Sequence, residues 1–146
     1  MNNSSLFDEK NFYDQFLHDL LNCQDEVYIE SPFITCSRMK ILYPIFEKLI
    51  KRNVKVYIVT RNPKEHLESM EYQAEYEIQR FERLGVQVFI CVGNHHRKLA
   101  ILDRKVLWEG SLNILSQSYS RELMRRTASE KSALEMFNFL KLDRVI

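Results

Sequence analysis

The sequence predicts an α/β domain built on a mixed sheet with helices on both faces. Two observations carry this. Between residues 26 and 92, short runs rich in β-branched and aromatic residues alternate with stretches of helical periodicity. Strand, helix, strand, helix, strand is the order of parallel strands joined by helical crossovers. Beyond residue 97 the pattern changes. Two short apolar runs, 98–102 and 106–108, stand three residues apart, which is hairpin spacing and calls for antiparallel strands.

Each element follows from local pattern. Residues 7–21 carry apolar side chains at 12, 13, 16, 17, 20 and 21, the spacing of an amphipathic helix. Only the start, residues 1–5, looks short of ordering residues. EVYIES, 26–31, is a strand ended by Pro32. Residues 39–52 form a helix through apolar positions 41, 42, 45, 46, 49 and 50; Pro44 must then lie in its first turn or kink it. KVYIVT, 55–60, is the second strand, and Asn62-Pro63 turns the chain. A long helix over 66–84 stops at Gly85, and VQVFICV, 86–92, is the third strand. After the hairpin, 110–120 is irregular or a short helix, 122–126 is one more strand, and 128–142 is a closing helix.

Composition bounds the function. A chain of 146 residues suits one domain, 1–146, large enough to bury a core. Its three glycines and three prolines leave little room for linkers. No apolar run approaches the roughly 18 residues of a membrane span. The opening MNNSSLFDEK lacks the basic start and apolar stretch of a secretory signal. Cys23, Cys36 and Cys91 are odd in number, widely spaced and form no CxxC, so reduced thiols in a cytoplasmic protein are expected. Net charge is +1, but it is unevenly spread. Residues 97–126 hold seven basic side chains (Arg97, Lys98, Arg104, Lys105, Arg121, Arg125, Arg126) against Asp103, Glu109 and Glu122, a net of +4. Residues 62–82 hold six glutamates against Lys64 and Arg80, a net of −4. Taken alone, such runs are solvated faces. The basic one, however, coincides with the most unusual stretch of the chain.

That stretch is HHRKLAILDRKVLWEGSLN, 95–113. Strand side chains alternate faces, so His96 and Lys98 point one way, about 6.6 Å apart along the chain, and His95 and Arg97 point the other. An imidazole and an ammonium on one face suit an anion such as phosphate: the first as nucleophile or proton donor, the second as neutralising charge. Gly110 permits close backbone approach. Ser111 and Asn113 add two hydrogen-bonding groups. A zinc site from Cys91, His95 and His96 is disfavoured, because alternation splits the two histidines. His18 and His66 are expected on helix surfaces, and Trp108 in the hairpin core.

His96-x-Lys98, four residues, Asp103, six residues, Gly110-Ser111-x-Asn113 resembles the motif of the phospholipase D superfamily at every specified position. The segments EVYIESPFI and VKVYIVTRNP resemble that family's α/β domain as well, so the likeness covers most of the chain. The resemblance implies a phospholipase D-like mixed sheet and a covalent phosphohistidine intermediate, without metal or other cofactor. His96 would be the nucleophile, and a second histidine would protonate the leaving oxygen and then activate water. Lys98 and Asn113 would hold the nonbridging oxygens with Ser111 in support. Asp103, placed at a turn, suggests a structural or orienting part. Glu122, nine residues after Asn113, is the candidate acid to orient the nucleophile, although SRELMRR follows the family's nuclease pattern only loosely.

One motif copy supplies one histidine. Short bacterial members of the family solve this as two-fold dimers, so the resemblance implies a homodimer with its active site on the axis. Small size, a single motif and no apolar membrane-binding surface favour a nuclease acting on DNA or RNA over a lipid enzyme. Arg61, Arg121 and Arg125 are candidate nucleic-acid contacts, with Arg126 beside them; one of the arginines is expected to pair with an acidic neighbour instead. The stretches WEGSLNILS and SRELMRR also resemble the phospholipase D-like domains of bacterial helicase-like proteins. A nucleic-acid-binding and dimerising module of a larger protein is therefore the alternative expectation.

Overall fold

The structure, a computed structural model, describes residues 3–65, 68–116 and 119–146. Its elements are β1 (Ser4–Asp8), α1 (Phe12–Leu21), β2 (Glu26–Glu30), α2 (Cys36–Lys51), β3 (Lys55–Arg61), α3 (Glu68–Leu84), β4 (Gln87–Cys91), β5 (Leu99–Leu102), β6 (Val106–Gly110), β7 (Leu123–Ala128) and α4 (Glu130–Phe139). One seven-stranded sheet runs in the order β1-β7-β6-β5-β2-β3-β4. β2, β3 and β4 are parallel; β5 joins β2 antiparallel, and β6, β7 and β1 follow antiparallel. The expected mixed α/β sheet is therefore present.

Period-two alternation divides the core between the two faces. Val27, Ile29, Val56, Ile58, Ala100, Leu102 and Trp108 pack against Phe12, Phe16, Met39, Phe46 and Phe81 of α1, α2 and α3. Tyr28, Tyr57, Val59, Leu99, Ile101 and Leu107 pack against Ala133 and Phe137 of α4 and Leu142 beyond it. Both faces of β2 are buried, which explains its nearly unbroken apolar run. Trp108 is fully buried. Its indole N–H donates to Asp19 at 2.9 Å, and Asp19 also takes a two-pronged bond from Arg126 at 2.7 and 3.0 Å.

Three boundaries differ from expectation. Residues 4–8, read as a loose start running into a helix, are strand β1, paired with β7 from Ser4↔Thr127 to Asp8↔Leu123. SSLFD offers one inward apolar residue, Phe7, whose ring lies 5.0 Å from Trp108, so the strand exists through its partner rather than its pattern. Asp8 then stops it: its carboxylate accepts from the backbone of Lys10 and Asn11, while the Asn11 amide oxygen accepts from the Asp8 N–H. α2 begins at Cys36, so Pro44 stands in mid-helix, not the first turn. It lies on the exposed side, where the carbonyl it leaves unbonded meets water. The expected helix start at 66, and His66 itself, lie outside the described residues. β5 begins at Leu99, so His96 and Lys98 precede the ladder. Gly85 does end α3: with φ +113°, it lets the Val86 N–H reach the Phe81 carbonyl at 3.0 Å.

Among the described residues, no helix is long and apolar enough to cross a membrane.

Candidate active site

The topology decides where the motif's two halves go. β5 runs antiparallel to β2 with Leu99 opposite Glu30, so the chain entering β5 lies at the carboxyl end of the parallel strands. β6 returns to that same end, with Glu109 opposite Leu99, and delivers Gly110 to Asn113 there. β7 begins there too, with Met124 opposite Gly110. His96, Lys98, Ser111, Asn113 and Glu122 thus share one edge, the customary ligand position in open α/β sheets.

Gly110 is required by contact. A Cβ on it would lie 2.1 Å from the Leu123 carbonyl oxygen and 2.9 Å from the Met124 Cα. Two backbone segments pass where only hydrogen fits. Ser111 knits the same crossing: its N–H donates to the Leu123 carbonyl at 2.9 Å, and its hydroxyl accepts the Leu123 N–H at 3.0 Å. Behind the Asn113 loop, the Ser31 hydroxyl accepts the Leu115 N–H at 3.1 Å, and Tyr13 donates its hydroxyl to the Ile114 carbonyl at 2.5 Å. The loop is thereby tied to α1 and to the end of β2.

The segment before β5 has no ladder to hold it, and Glu30 ties it down instead. Glu30 is fully buried at the end of β2. Arg97 donates to both its oxygens, at 2.8 and 3.2 Å, and Tyr28 donates its hydroxyl at 2.6 Å. His95 Nε2 stands 3.1 Å from the same carboxylate, but off the line of a hydrogen bond, so it is a close contact rather than an aligned bond. Burial lowers the pKa of His95 below its usual value, and Glu30 only partly opposes this. Glu30 thus holds His95 inward and tethers Arg97, whose side chain stays half-exposed. His96 is exposed; Lys98 is half-buried, its ammonium donating to the His96 carbonyl at 2.8 Å. A buried acid must find partners, and an acid ending an otherwise apolar strand was the one visible sign of Glu30. Its partner, 67 positions away, was not legible.

The other candidates separate. Glu122 lines a cavity of about 590 Å³ with Ser111 and Arg121, and a smaller one with Asn113. Its N–H donates to Glu9 at 2.9 Å; among the described residues its carboxylate makes no bond to the His96 ring. Arg61 ends β3 at the same edge, its guanidinium 5.7 Å from the Phe33 ring centre. Arg125 lies within β7, opposite Glu109, and bonds Ser4 instead of joining the cluster. Asp103 is at the other end of the sheet. Its carboxylate accepts the backbone N–H groups of Gln24, Asp25 and Glu26 at 2.8–2.9 Å, which makes its place architectural. Three of the seven basic residues in 97–126 are already matched: Arg97 by Glu30, Arg104 by Glu26 and Arg126 by Asp19. Part of the positive run is therefore neutralised within the fold. Two residues absent from the sequence-based site, Arg38 and Tyr13, face Asn113 and Glu122 across the smaller cavity.

Comparison with known proteins identifies the fold. The family model described as cardiolipin synthase, PLD-like domain, matches residues 16–141. No curated protein sequence matches the chain significantly. Among solved structures, NucT from Helicobacter pylori superposes with a TM-score of 0.72 at 16% identity, over 94% of this chain and 92% of that one. Nuc from Salmonella typhimurium, a phospholipase D family member, gives 0.75 at 15% identity, over 94% and 91%. Phosphatidylserine synthase from Haemophilus influenzae Rd KW20 gives 0.77 at 12% identity, over 95% of this chain but 36% of that one. At these identities the likeness is one of fold.

Proposed function

The chain belongs to the phospholipase D-like family, and on that premise we propose that it is a metal-independent cytoplasmic nuclease working as a homodimer. Family membership places it among phosphodiester hydrolases and transferases at the coarse level. The observation that carries the finer reading is the shared edge: an exposed imidazole at His96, an ammonium at Lys98 and the Gly110–Asn113 loop come from the two strands of the β5–β6 hairpin to its one open end.

In the proposed reaction the His96 imidazole attacks phosphorus in line, forming an N–P bond as the P–O bond to one strand end breaks. His96 of the partner subunit gives its proton to that leaving oxygen. It then takes a proton from water, whose oxygen displaces the imidazole and restores both groups. Lys98 and Asn113 bind the nonbridging oxygens, supplying the charge stabilisation that metals provide in other phosphoryl-transfer sites. In this reading Arg121 and Arg61, at the same edge, contact the strand's neighbouring phosphates. Such contacts position the backbone without reading sequence.

The test is cleavage of single- and double-stranded DNA and RNA in excess EDTA, comparing wild type with His96→Ala at matched dimer concentration. Cleavage that disappears in the variant supports the reading. Binding without cleavage by a confirmed dimer would sink it and favour the binding and dimerising module of a larger helicase-like protein. Turnover of phosphatidylcholine vesicles but not nucleic acid would select a lipid phosphodiesterase.

A further inference from the structure

Arg38 differs from the arginines that are paired inside the fold. Arg97, Arg104 and Arg126 each meet a carboxylate. Arg38, half-buried in the first turn of α2, makes no ion pair among the described residues and lies flat on Tyr13, 3.3 Å from the ring centre. Its Nε is buried with no acceptor. Asn113 Oδ1 is buried with no donor. Both residues line one small cavity, about 20 Å³, together with Ser116 and Glu122.

These observations complete one another. Arg38 Nε can only donate, and an amide oxygen can only accept. Buried polar groups are rarely left unpaired, and a cavity needs about 10–15 Å³ to hold one water. A water accepting from Arg38 and donating to Asn113 uses one lone pair and one proton. One lone pair and one proton remain for Ser116 and Glu122, which line the same cavity. Asn113 stands with its oxygen as the buried atom, so the oxygen is the end that takes the water's proton.

We propose that a single buried water bridges Arg38 Nε to Asn113 Oδ1, and that Arg38 is a positioning residue holding the Asn113 amide with its NH₂ turned out toward the substrate phosphate. The part concerning substrate rests on the nuclease reading above; the water and the amide orientation do not. Tyr13 contributes by clamping both sides, stacking on the guanidinium and bonding the Ile114 carbonyl.

Two nearly isosteric variants isolate the donor. Arg38→Gln places an amide nitrogen where Nε stood, and Arg38→Met places a methyl there. Both remove the charge. The first readout is a high-resolution crystal structure of the full chain as wild type and as each variant. A water bonded to residue 38 and Asn113 is expected in wild type and Arg38→Gln, and is expected to be lost in Arg38→Met. A dry cavity in wild type, or an amide turned the other way, overturns the proposal even if the protein cleaves nothing. The second readout is kinetic. Arg38→Met should lower kcat about tenfold with KM little changed, Arg38→Gln should recover most of it, and the Arg38→Met loss should vanish in an Asn113→Ala background. Equal losses in Gln and Met variants, with raised KM and a shallower salt dependence, would instead make Arg38 a direct phosphate contact and overturn the positioning role. Inactive wild type with the bridging water present would leave the orientation standing and remove the nuclease reading alone.

Discussion

The two ends of the β5–β6 hairpin come from one motif and are built on opposite principles. At the turn, the side chains of Asp103 and Arg104 are both bound into the fold. Asp103 and Arg104 both adopt left-handed backbone, φ 54° and 53°, without being glycine. That geometry costs roughly 1–2 kcal/mol per residue. It is offset locally: Asp103 takes three backbone N–H groups, and Arg104 forks onto Glu26 at 2.8 and 3.0 Å while covering the Phe137 ring at 4.1 Å. At the open end, by contrast, His96 is exposed, Lys98 bonds only its neighbour's carbonyl, and Arg38 Nε and Asn113 Oδ1 lack protein partners. One end spends its polarity on the fold. The other keeps it available. The motif's six specified positions therefore divide: Asp103 and Gly110 serve the fold, while His96 and Lys98 stay at the open end.

His96→Ala sharpens this most. Cleavage should fall at least ~1000-fold, as for removal of a nucleophile. The melting temperature should shift little, because an exposed side chain contributes within about 0.5 kcal/mol. A large loss of stability would break the contrast at its open end. Gly110→Ala joins the two ends: the methyl group would meet fixed backbone of β7, and denaturant melts should show destabilisation of about 3 kcal/mol or more, with cleavage lost in parallel. Asp103→Ala is the mirror test of His96→Ala. Losing three charge-assisted bonds should cost about 2–4 kcal/mol in a thermal melt. Yet kcat per folded molecule should be unchanged; its loss in folded protein would place Asp103 back in the chemistry.

Glu30→Gln probes the hold on the 95–97 segment. The amide keeps the shape but weakens the grip on Arg97, so about 1–2 kcal/mol of stability should go. kcat should fall because residue 96 loses its fixed direction. Unchanged kcat would make Glu30 purely structural. The smallest effect is a pH slope. His95 has a depressed pKa in the fold, so the native state resists protonation that the unfolded chain accepts from about pH 6.5 downward. Stability should be full above that pH and decline as pH falls toward the folded value. Equilibrium unfolding between pH 7 and 5 measures it, and His95→Gln should flatten the slope.

Much of this was legible before any coordinates. Helical spacing marked α1, and hairpin spacing placed β5 beside β6. The stop at Gly85 needed only glycine after a periodic run. β1 was not legible, since Phe7 is its single inward apolar residue and its cohesion comes from β7. Nor were the ion pairs. Glu30 with Arg97 and Asp19 with Arg126 lie 67 and 107 positions apart, and each acid had several basic candidates of equal merit in sequence. Asp103 was legible as a turn residue, but not as the cap on three N–H groups some 78 positions upstream.

By itself, then, the sequence determined what local spacing can encode: alternating periodicities that specify a mixed α/β sheet, and residue types at fixed intervals that specify the family and its candidate chemistry. Tertiary structure alone decided which of those residues meet. Sheet order carried Asp103 to one end and His96, Ser111 and Asn113 to the other. Burial of Glu30 turned His95 inward and left His96 exposed. The packing of α1 and α2 against the Asn113 loop brought in Arg38, which no spacing announced. The physical reason is range: backbone preference and periodicity act over a few residues, whereas pairing of buried charge acts through space.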